Sequence, residues 1–391
     1  MRVAINLLTE DPANPSGAHW FWTRVIPEMA SRLERGEELR LVVSPQSKKM
    51  HQDYGDKVSY ITYPWSNEHR KLRTLSEHLY SPLRLPLGRT DIFSTLMAPV
   101  LSPSWSNVVH IKTMHAFTQP ESVAPLTRAY RLFSYPRTVQ VAEAIIINSH
   151  SLRDEINKHL DVEPGKLKMI PEAVDHDLFK PGDAEEARIQ VKAYGVTKPF
   201  VLFVSSLWPY KNCDGLLRAW ASARAALGDK QLVIIGAGRD EKYTASLPAL
   251  AAELGIAEDV LFVGGIPLAD TVPFYRAADV FVYPSFNETF GLPILEAMAC
   301  GCPVVTSDVT AMPETAGGAA MLSDPTDPAS IMALAIDAGS VGSDSMAAPP
   351  AVSGMAVTSD VTTGQPQAMA SRMGSPKVSL NDGYTKTSAA R

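Results

Sequence analysis

Two glutamates eight positions apart around a short turn sequence have the residue types and spacing for sugar binding. In "SFNETFGLPILEAMACG" (285–301), Glu288 precedes Phe-Gly-Leu-Pro, and Glu296 follows it within a helical pattern. Pro293 suits the first turn of a helix, and Gly301 suits the residue after its end. Because ionised carboxylates only accept hydrogen bonds, both glutamates are suited to the vicinal hydroxyls of sugar rings.

The turn between the glutamates predicts an anion site made of main-chain amides. The amides of Gly291 and Leu292 would lie at a helix N-terminus, where unpaired N–H groups and the helix dipole attract negative charge. Glu296 lies about one turn farther along, and helical side chains lean toward the N-terminus, so its carboxylate reaches the same place. A diphosphate between two diols describes a nucleotide sugar. Taken singly, Glu296 is better explained as part of the polar face of an amphipathic helix, and Glu288 as a loop charge. The combined pattern favours the ligand.

Composition limits the class of protein. The chain has 391 residues, 45% hydrophobic and 20% charged, with a net charge of −6, which fits a soluble two-domain protein and argues against general nucleic-acid binding. Its three cysteines (Cys213, Cys300, Cys302) form neither a disulfide framework nor a metal motif, so we expect a cytoplasmic location. The N-terminal sequence predicts a buried strand rather than a signal peptide, and no run approaches the roughly 20 apolar residues of a membrane span.

Alternating apolar runs and helical patterns predict an α/β protein with two Rossmann-like parallel-sheet domains, 1–180 and 181–338. A hinge near 178–196 would join them, and the ligand would lie in the central cleft, at the carboxyl ends of the strands. The predicted strands are 2–8, 39–44, 58–63, 108–114, 143–149, 166–170, 200–206, 231–236, 260–264, 279–285 and 303–307, and the predicted helices are 17–35, 151–160, 212–227, 240–254, 269–277 and 293–300.

The tail at 339–391 differs in composition from the two domains. It has a single aromatic residue, Tyr384, and is rich in Gly, Ser, Pro, Thr and Ala. Such a segment buries too little apolar surface to offset its ordering entropy, so we expect the tail to be disordered.

Several motifs resemble the family-4 retaining glycosyltransferases (glycosyl transferases group 1), which have the two-domain GT-B fold. "ETFGLPILE" is similar to the family's signature of two glutamates separated by seven residues. "FVSSLWPYKN" (203–212), "VIIGAG" (233–238) and "VLFVGGIPLADTVPFYRAADVFVYPS" (260–285) are similar to successive strand and loop segments of the donor-binding domain. "MIPEAVDHDLFKP" (169–181) resembles the segment that leaves the first domain, and the resemblance spans about residues 1–338.

The resemblance implies a role for each residue of the two-glutamate motif. Glu288 should bind the hydroxyls of the hexose, and Glu296 should bind the ribose. The amides of Phe290, Gly291 and Leu292 should meet the phosphates or the hexose.

The resemblance also implies donor contacts from the neighbouring loops. Lys211 should neutralise the leaving diphosphate, an electrostatic stabilisation of developing charge. The base should rest against backbone at Gly265 and Ile266. Ser206 stands where many members have an arginine, so Lys211 and the helix N-terminus must supply more of the positive potential.

Two residues of the first domain match family positions near the transferred sugar. Gly17, in "NPSGAHWF", matches a glycine turn that faces the donor phosphates and the acceptor, although a plain turn fits equally well. His115, in "IKTMHAFTQPES", ends a predicted strand and matches a histidine that contacts the hexose. A structural hydrogen bond is the alternative role for this histidine.

The implied activity is transfer of a hexose, mannose or glucose by family frequency, from a nucleoside diphosphate sugar to a hydroxyl acceptor with retention of configuration. The acceptor would be a saccharide or a lipid-linked saccharide in cell-surface polysaccharide or glycolipid synthesis. No metal or other cofactor is expected, because Lys211 and the amides provide the positive potential. The basic, leucine-containing run at 67–89 suggests a peripheral contact at the inner face of the membrane, with a solvated helix and loop as the alternative.

Two other functions remain open at this level. The first is a nucleotide-sugar-binding scaffold without turnover, because 339–391 lacks the closing helices that family members use to brace the first domain. The second is another GT-B enzyme such as a nucleotide-sugar epimerase, which would turn over without an acceptor. A cofactor-dependent phosphorylase would need a Schiff-base lysine, for which the sequence offers no candidate.

Overall fold

Short β-branched strands form two sheets in the computed structural model, which describes residues 1–10, 17–51, 54–65, 70–79, 90–96, 105–238 and 240–341. The described strands are β1 Arg2–Asn6, β2 Glu38–Val43, β3 Val58–Thr62, β4 Ile92–Leu96, β5 Ser106–His110, β6 Ala144–Ile147, β7 Leu167–Met169, β8 Phe200–Val204, β9 Gln231–Ile235, β10 Val260–Gly264, β11 Val280–Tyr283, β12 Val304–Ser307 and β13 Met321–Ser323.

Helices cover the sheets, as expected of strands that are connected by crossovers. The described α-helices are α1 Gly17–Ser31, α2 Pro45–Lys48, α3 Arg70–Leu79, α4 His115–Thr118, α5 Pro125–Val141, α6 His150–His159, α7 Ala184–Val191, α8 Cys213–Leu227, α9 Glu241–Glu253, α10 Val272–Ala277, α11 Leu292–Ala299, α12 Met312–Ala316 and α13 Pro328–Val341. Short 3₁₀ helices occupy Pro120–Ser122, Lys192–Tyr194, Pro209–Lys211 and Leu268–Thr271.

The strand order confirms the predicted pair of parallel-sheet domains. The first sheet runs β3-β2-β1-β4-β5-β6-β7, and the second runs β10-β9-β8-β11-β12-β13. Neighbouring strands pair in parallel throughout both sheets. In the second sheet the order reverses between β8 and β11, and ligands of such sheets bind at this kind of switch point.

The turns at the carboxyl ends of β8 and β9 approach each other closely. A β-carbon on Gly236 would lie 1.7 Å from the carbonyl oxygen of Ser205, so only glycine fits there. The glycine turn that follows β9 therefore lies directly against the loop that leads to Lys211.

The prediction of a hinge near 178–196 is wrong for most of that segment. Helix α7 lies inside it, and Phe179, Ala187 and Val191 are buried in the core of the second domain. The polar appearance of the segment comes from the exposed face of α7, while its apolar face packs on α10. The segment therefore belongs to the second domain.

Strand β4 and helix α5 are the main elements of the first domain that escaped the sequence analysis. Strand β4 contains Ser94 and Thr95, which look like loop residues but are buried and hydrogen-bonded, to His110 at 3.0 Å and to Asn6 at 3.2 Å. Helix α5 contains Pro136, a residue that normally argues against a helix interior.

The second domain has three further elements that were not predicted: α12, β13 and α13. Helix α13 packs against α8 and extends three residues into the segment predicted as a disordered tail, 339–391. Residues 342–391 of that predicted tail lie outside the described part of the chain.

Candidate active site

A buried ion pair links the loop after β8 to the loop after β11. Lys211 Nζ donates to Glu288 Oε1 and, at 3.0 Å, to the hydroxyl of Tyr283. The Tyr283 hydroxyl donates to the same Glu288 oxygen at 2.7 Å. The Lys211 and Glu288 side chains are only 9% and 12% exposed. The structure thus places two predicted site residues in direct contact.

The environment keeps Lys211 charged. Burial alone would lower the pKa of its ammonium group, but the adjacent Glu288 carboxylate outweighs burial and holds this pKa well above its ordinary value. Burial, followed by the charge of Glu288, raises the pKa of the Tyr283 hydroxyl far above its ordinary range. At neutral pH the cluster therefore contains an ammonium group and a neutral phenol.

The residue after Lys211 fixes the lysine to the end of β11. Asn212 is buried and has a positive φ of 60°, an unusual conformation for a residue other than glycine. Its Nδ2 donates to the carbonyl oxygens of Pro284 at 2.9 Å and Pro325 at 2.8 Å. These bonds hold the Lys211 loop against the next loops of the second sheet.

The Glu288 backbone is held by a second strained residue. Thr310 has a φ of 57°, which is rare for a β-branched side chain. Its hydroxyl accepts from the Glu288 amide at 3.1 Å, and the Ala311 amide donates to the Glu288 carbonyl at 3.3 Å. The loop that presents the glutamate is thus bonded on both sides of its α-carbon.

Helix α11 begins beside this ion pair, as the Phe-Gly-Leu-Pro turn predicts. Gly291 has a φ of 97°, so the position requires glycine, and Pro293 occupies the first turn. Within the described residues, neither the Gly291 amide nor the Leu292 amide donates to a protein acceptor. Phe290 is buried, and its carbonyl accepts from the Thr315 hydroxyl. The predicted main-chain anion site is therefore geometrically available.

Glu296 lies deeper in α11 and is 7% exposed. The Tyr275 hydroxyl donates to its Oε2 at 3.0 Å. Burial raises the pKa of the Glu296 carboxyl to about 7, against the opposing effects of Tyr275 and of the Arg24 charge. Arg24 comes from α1 of the first domain and pairs with Asp175 at 2.9 Å. Both domains thus contribute to the surroundings of this carboxyl.

His115 faces the ion pair from the first domain. The expectation that it ends a strand is wrong: β5 stops at His110, and His115 begins the four-residue helix α4. Its ring meets that of Tyr210 edge-on, with centroids 5.1 Å apart. Burial lowers the pKa of His115 to about 4, with Glu288 opposing this shift and Lys211 adding to it. A neutral imidazole therefore lies near the pair at neutral pH.

Among the described residues, Gly265, Ile266 and Ser206 make no hydrogen bond to the ion pair. A β-carbon on Gly265 would lie 3.1 Å from that of Ala237, so the loop of Gly265 and the half-buried Ile266 packs on the glycine turn after β9. Ser206 is half-buried and is not a partner of Lys211 in the described structure. Gly17 is the first residue of α1, and the preceding residues 11–16 lie outside the described ranges.

The sequence analysis missed five residues that shape the site. Tyr283, in the predicted strand 279–285, and Tyr210, next to Lys211, were visible as aromatic residues beside motif positions. No sequence signal pointed to a charge from α1 near Glu296 or to positive φ angles at an asparagine and a threonine. These residues are Tyr210, Tyr283, Arg24, Asn212 and Thr310.

The basic run at 67–89 is only partly free for a surface contact. Arg73, a cation of this run, lies 3.6 Å from Glu77, and both side chains are about one-seventh exposed (14% and 13%). Glu77 also accepts from Asn6 at 2.9 Å. Arg73 is therefore engaged within the protein, while residues 66–69 and 80–89 of and beside the run lie outside the described residues.

The described residues contain neither a metal-binding cluster nor a membrane-spanning helix. No group of three or more His, Cys, Asp or Glu side chains among them could hold a metal ion. No helix among them has the length and apolar character required to cross a membrane.

Comparison with known proteins identifies the domain that contains the site. Residues 184–338 match the family model "Glycosyl transferases group 1", so the predicted resemblance is confirmed for this part of the chain. The chain is 32% identical over 243 residues to the D-inositol 3-phosphate glycosyltransferase of Acidothermus cellulolyticus, covering 59% of this chain and 54% of that protein. It is 36% identical over 219 residues to that of Geodermatophilus obscurus, with 52% and 48% covered. The chain thus spans about half the length of the curated relatives it matches.

Solved structures confirm the GT-B fold. Sucrose-phosphate synthase from Thermosynechococcus elongatus superposes with a TM-score of 0.66 at 20% identity, covering 85% of this chain and 88% of that one. HepE from Anabaena, in complex with UDP and glucose, superposes with a TM-score of 0.65 at 19% identity, covering 86% and 89%. At these identities the likeness establishes the fold.

The buried Glu296 carboxyl predicts a specific dependence of stability on pH. Its pKa is about 7 in the folded protein and 4.5 ordinarily, so between these values the folded state binds more protons than the unfolded state. The free energy of unfolding should therefore fall as pH rises from 4.5 to 7. In the parent protein, the free energy of unfolding measured with urea should be about 3 kcal/mol lower at pH 8 than at pH 5 because of this carboxyl. Glu296→Gln should abolish that difference. The exposed variant Glu253→Gln is the control; equal pH slopes for Glu296→Gln and the parent protein would contradict the assignment.

Proposed function

We propose that this protein transfers a hexose from a nucleoside diphosphate sugar to a hydroxyl acceptor with retention of configuration. The observation that supports the proposal most strongly is the Lys211–Glu288 pair beside the free amides at the start of α11. A cation, a carboxylate and unpaired amides within one short segment match the phosphates and hydroxyls of such a donor.

In the proposed complex the donor lies along the carboxyl ends of the second sheet. The base rests against Gly265 and Ile266, and the ribose hydroxyls bind Glu296. The diphosphate meets the amides at Gly291 and its neighbours, and the hexose hydroxyls bind Glu288. A ligand laid out in this way follows the order in which the sheet presents its loops.

The donor replaces the internal ion pair with two intermolecular contacts. Without a ligand, the charges of Lys211 and Glu288 offset each other in a nearly dry place. With the donor bound, Lys211 turns to the diphosphate and Glu288 to the hexose hydroxyls, while Tyr283 keeps its bond to the glutamate. Because both partners gain new charged or polar contacts, separating the pair does not leave a buried charge uncompensated.

Catalysis in this proposal is electrostatic. As the bond to the anomeric carbon breaks, negative charge grows on the leaving phosphate, where Lys211 and the helix amides are already aimed. His115 remains neutral and offers a hydrogen bond to the hexose without adding charge. The acceptor enters from the side of the first domain, and closure of the cleft aligns its hydroxyl and excludes water.

The acceptor is proposed only as a class. A saccharide or lipid-linked saccharide hydroxyl fits the family resemblance, and mannose or glucose is the proposed hexose. The curated relatives are named for D-inositol 3-phosphate, so a phosphorylated cyclitol belongs among the first acceptors to be tested.

Nucleotide binding tests the donor half of the proposal. We expect one of UDP, GDP and ADP to raise the melting temperature, since a ligand at 100 times its Kd adds about 2.7 kcal/mol of stability. Glu296→Ala should weaken the binding of that nucleotide because it removes the contact to the ribose. Glu253→Ala, a substitution at an exposed residue, should leave the binding unchanged. If none of the three nucleotides shifts the melting temperature, the assigned donor site is wrong.

Transfer assays test the catalytic half. Glu288→Gln should reduce transfer about 100-fold or more while nucleotide affinity stays within about threefold, because its carboxylate acts on the hexose. Product formation with a donor and acceptor panel gives the rate, and NMR of the new linkage gives its configuration. Turnover without an acceptor would favour an epimerase, and binding of intact nucleotide sugar without any turnover would favour a scaffold. Thermal melting of the variant confirms that it is folded.

We further propose a peripheral membrane contact through α3. Leu72 and Leu75 are 47% and 54% exposed on this basic helix, an arrangement suited to an anionic lipid surface. The double variant Leu72→Ser, Leu75→Ser should reduce sedimentation with vesicles containing phosphatidylserine. Ile189→Ser, which alters a residue 66% exposed on α7, is the matched control. Equal sedimentation of the double variant and the parent protein would refute the contact.

A further inference from the structure

A carboxylate of the second domain caps a helix of the first. Both oxygens of Glu314 accept from the His150 amide at 2.9 Å, and Oε2 also accepts from the Ser151 amide at 3.3 Å. These amides belong to the first turn of the ten-residue helix α6, where they have no partner within the helix. A negative group at this end is also favoured by the helix dipole.

The residue before this helix makes a second contact between the domains. Ser149 caps α6 in the usual way, accepting from the Leu152 amide at 3.0 Å. The same hydroxyl donates to the Thr289 carbonyl at 2.7 Å. Thr289 directly follows Glu288, so the start of α6 is bonded to the loop that presents the catalytic glutamate.

Both contacts converge on one piece of the second domain. The segment 310–315 holds the backbone of Glu288 through Thr310 and Ala311, and that of Phe290 through Thr315. Glu314 projects from this same segment to α6. A displacement of α6 would therefore act directly on the segments that fix the position of Glu288.

We propose that Glu314 and Ser149 form an interdomain latch that holds the cleft closed and sets the position of the Glu288 loop. The inference rests on the proposed function for its catalytic consequence only. Glu314 and Ser149 are positioning residues in this scheme, because neither touches the reacting atoms.

The exposure of Glu314 makes such a latch reversible. Glu314 and His150 are both exposed, so water can solvate the carboxylate and the amides when the contact opens. Opening of the Glu314 contact therefore leaves no buried polar group unsatisfied, unlike separation of the buried pair at Lys211. Ser149 is buried, and its hydroxyl and the Thr289 carbonyl would reach water only when the two domains part. The latch is accordingly weak enough to open for release of product and strong enough to bias the closed form.

The latch can be tested by a distance measurement that does not depend on turnover. The cysteines of the parent protein, Cys213, Cys300 and Cys302, are buried, so spin labels can be attached to the introduced pair Lys158→Cys and Lys242→Cys. Both lysines are exposed, one in each domain. In the labelled protein, pulsed EPR should show one short distance between the two labels. Glu314→Ala should raise the ratio of open to closed molecules about fivefold, which corresponds to the free energy of a lost helix cap.

Further variants separate the latch from a general loss of structure. Glu314→Gln, which keeps the size of the side chain but loses its charge, and Ser149→Ala should each open the cleft to a smaller extent. Glu253→Ala should leave the distances unchanged. Unchanged distances in Glu314→Ala and Ser149→Ala would overturn the proposal, whether or not the protein transfers sugar.

An active parent protein adds a kinetic readout. Glu314→Ala should lower kcat/KM for transfer by the same factor as it lowers the fraction of closed molecules, while the Kd of the bound nucleotide stays within about twofold. An equal loss of nucleotide affinity and of kcat/KM for transfer would instead indicate a damaged second domain and would count against the latch.

Discussion

The site depends on a lysine that stays charged where little water reaches it. Removing an ammonium group from water costs several kcal/mol, and in this fold Glu288 and Tyr283 offset that cost. Lys211 and Glu288 therefore depend on each other, because removing either side chain would leave the charge of the other buried without a counter-charge. A ligand can separate the pair only by offering both an anion and hydroxyl groups. In the proposed function, this pair therefore favours a molecule that offers both a phosphate group and sugar hydroxyls.

The backbone that holds this pair is strained at two points. Within the described ranges, Asn212 and Thr310 are the non-glycine residues with positive φ. Asn212 directly follows Lys211, and Thr310 is hydrogen-bonded to the Glu288 amide. Such conformations cost about 1–3 kcal/mol each and persist only where surrounding bonds over-determine them. Here the two hydrogen bonds of the Asn212 amide group and those around Glu288 provide that constraint. The strain is found next to the charges because their separation must be set by the backbone rather than by flexible side chains.

The sequence predicted what depends on local pattern and missed what depends on distant partners. The two sheets, the start of α11 and the position of Glu288 follow from apolar periodicity and from the two-glutamate motif, whereas Lys211 was singled out by the family resemblance of its loop. Strand β4 was missed because its serine and threonine become core residues only when partners from other strands satisfy them. The hinge was misplaced because the polarity of α7 hides one buried face. Pairing of Lys211 with Glu288, 77 positions away, could not be predicted from either residue's neighbours.

The contacts that fix the donor site and those that join the domains differ in kind. Within the second domain the site rests on buried charges and buried amide bonds, which are costly to open. Between the domains, Glu314 reaches the start of α6 at an exposed edge, where water can take the place of either partner. A rigid half-site and an adjustable boundary suit a reaction in which one substrate must be held in register while another enters and leaves. The same serine that caps α6 also bonds to the residue after Glu288, so the adjustable boundary meets the rigid site at the loop that presents this glutamate.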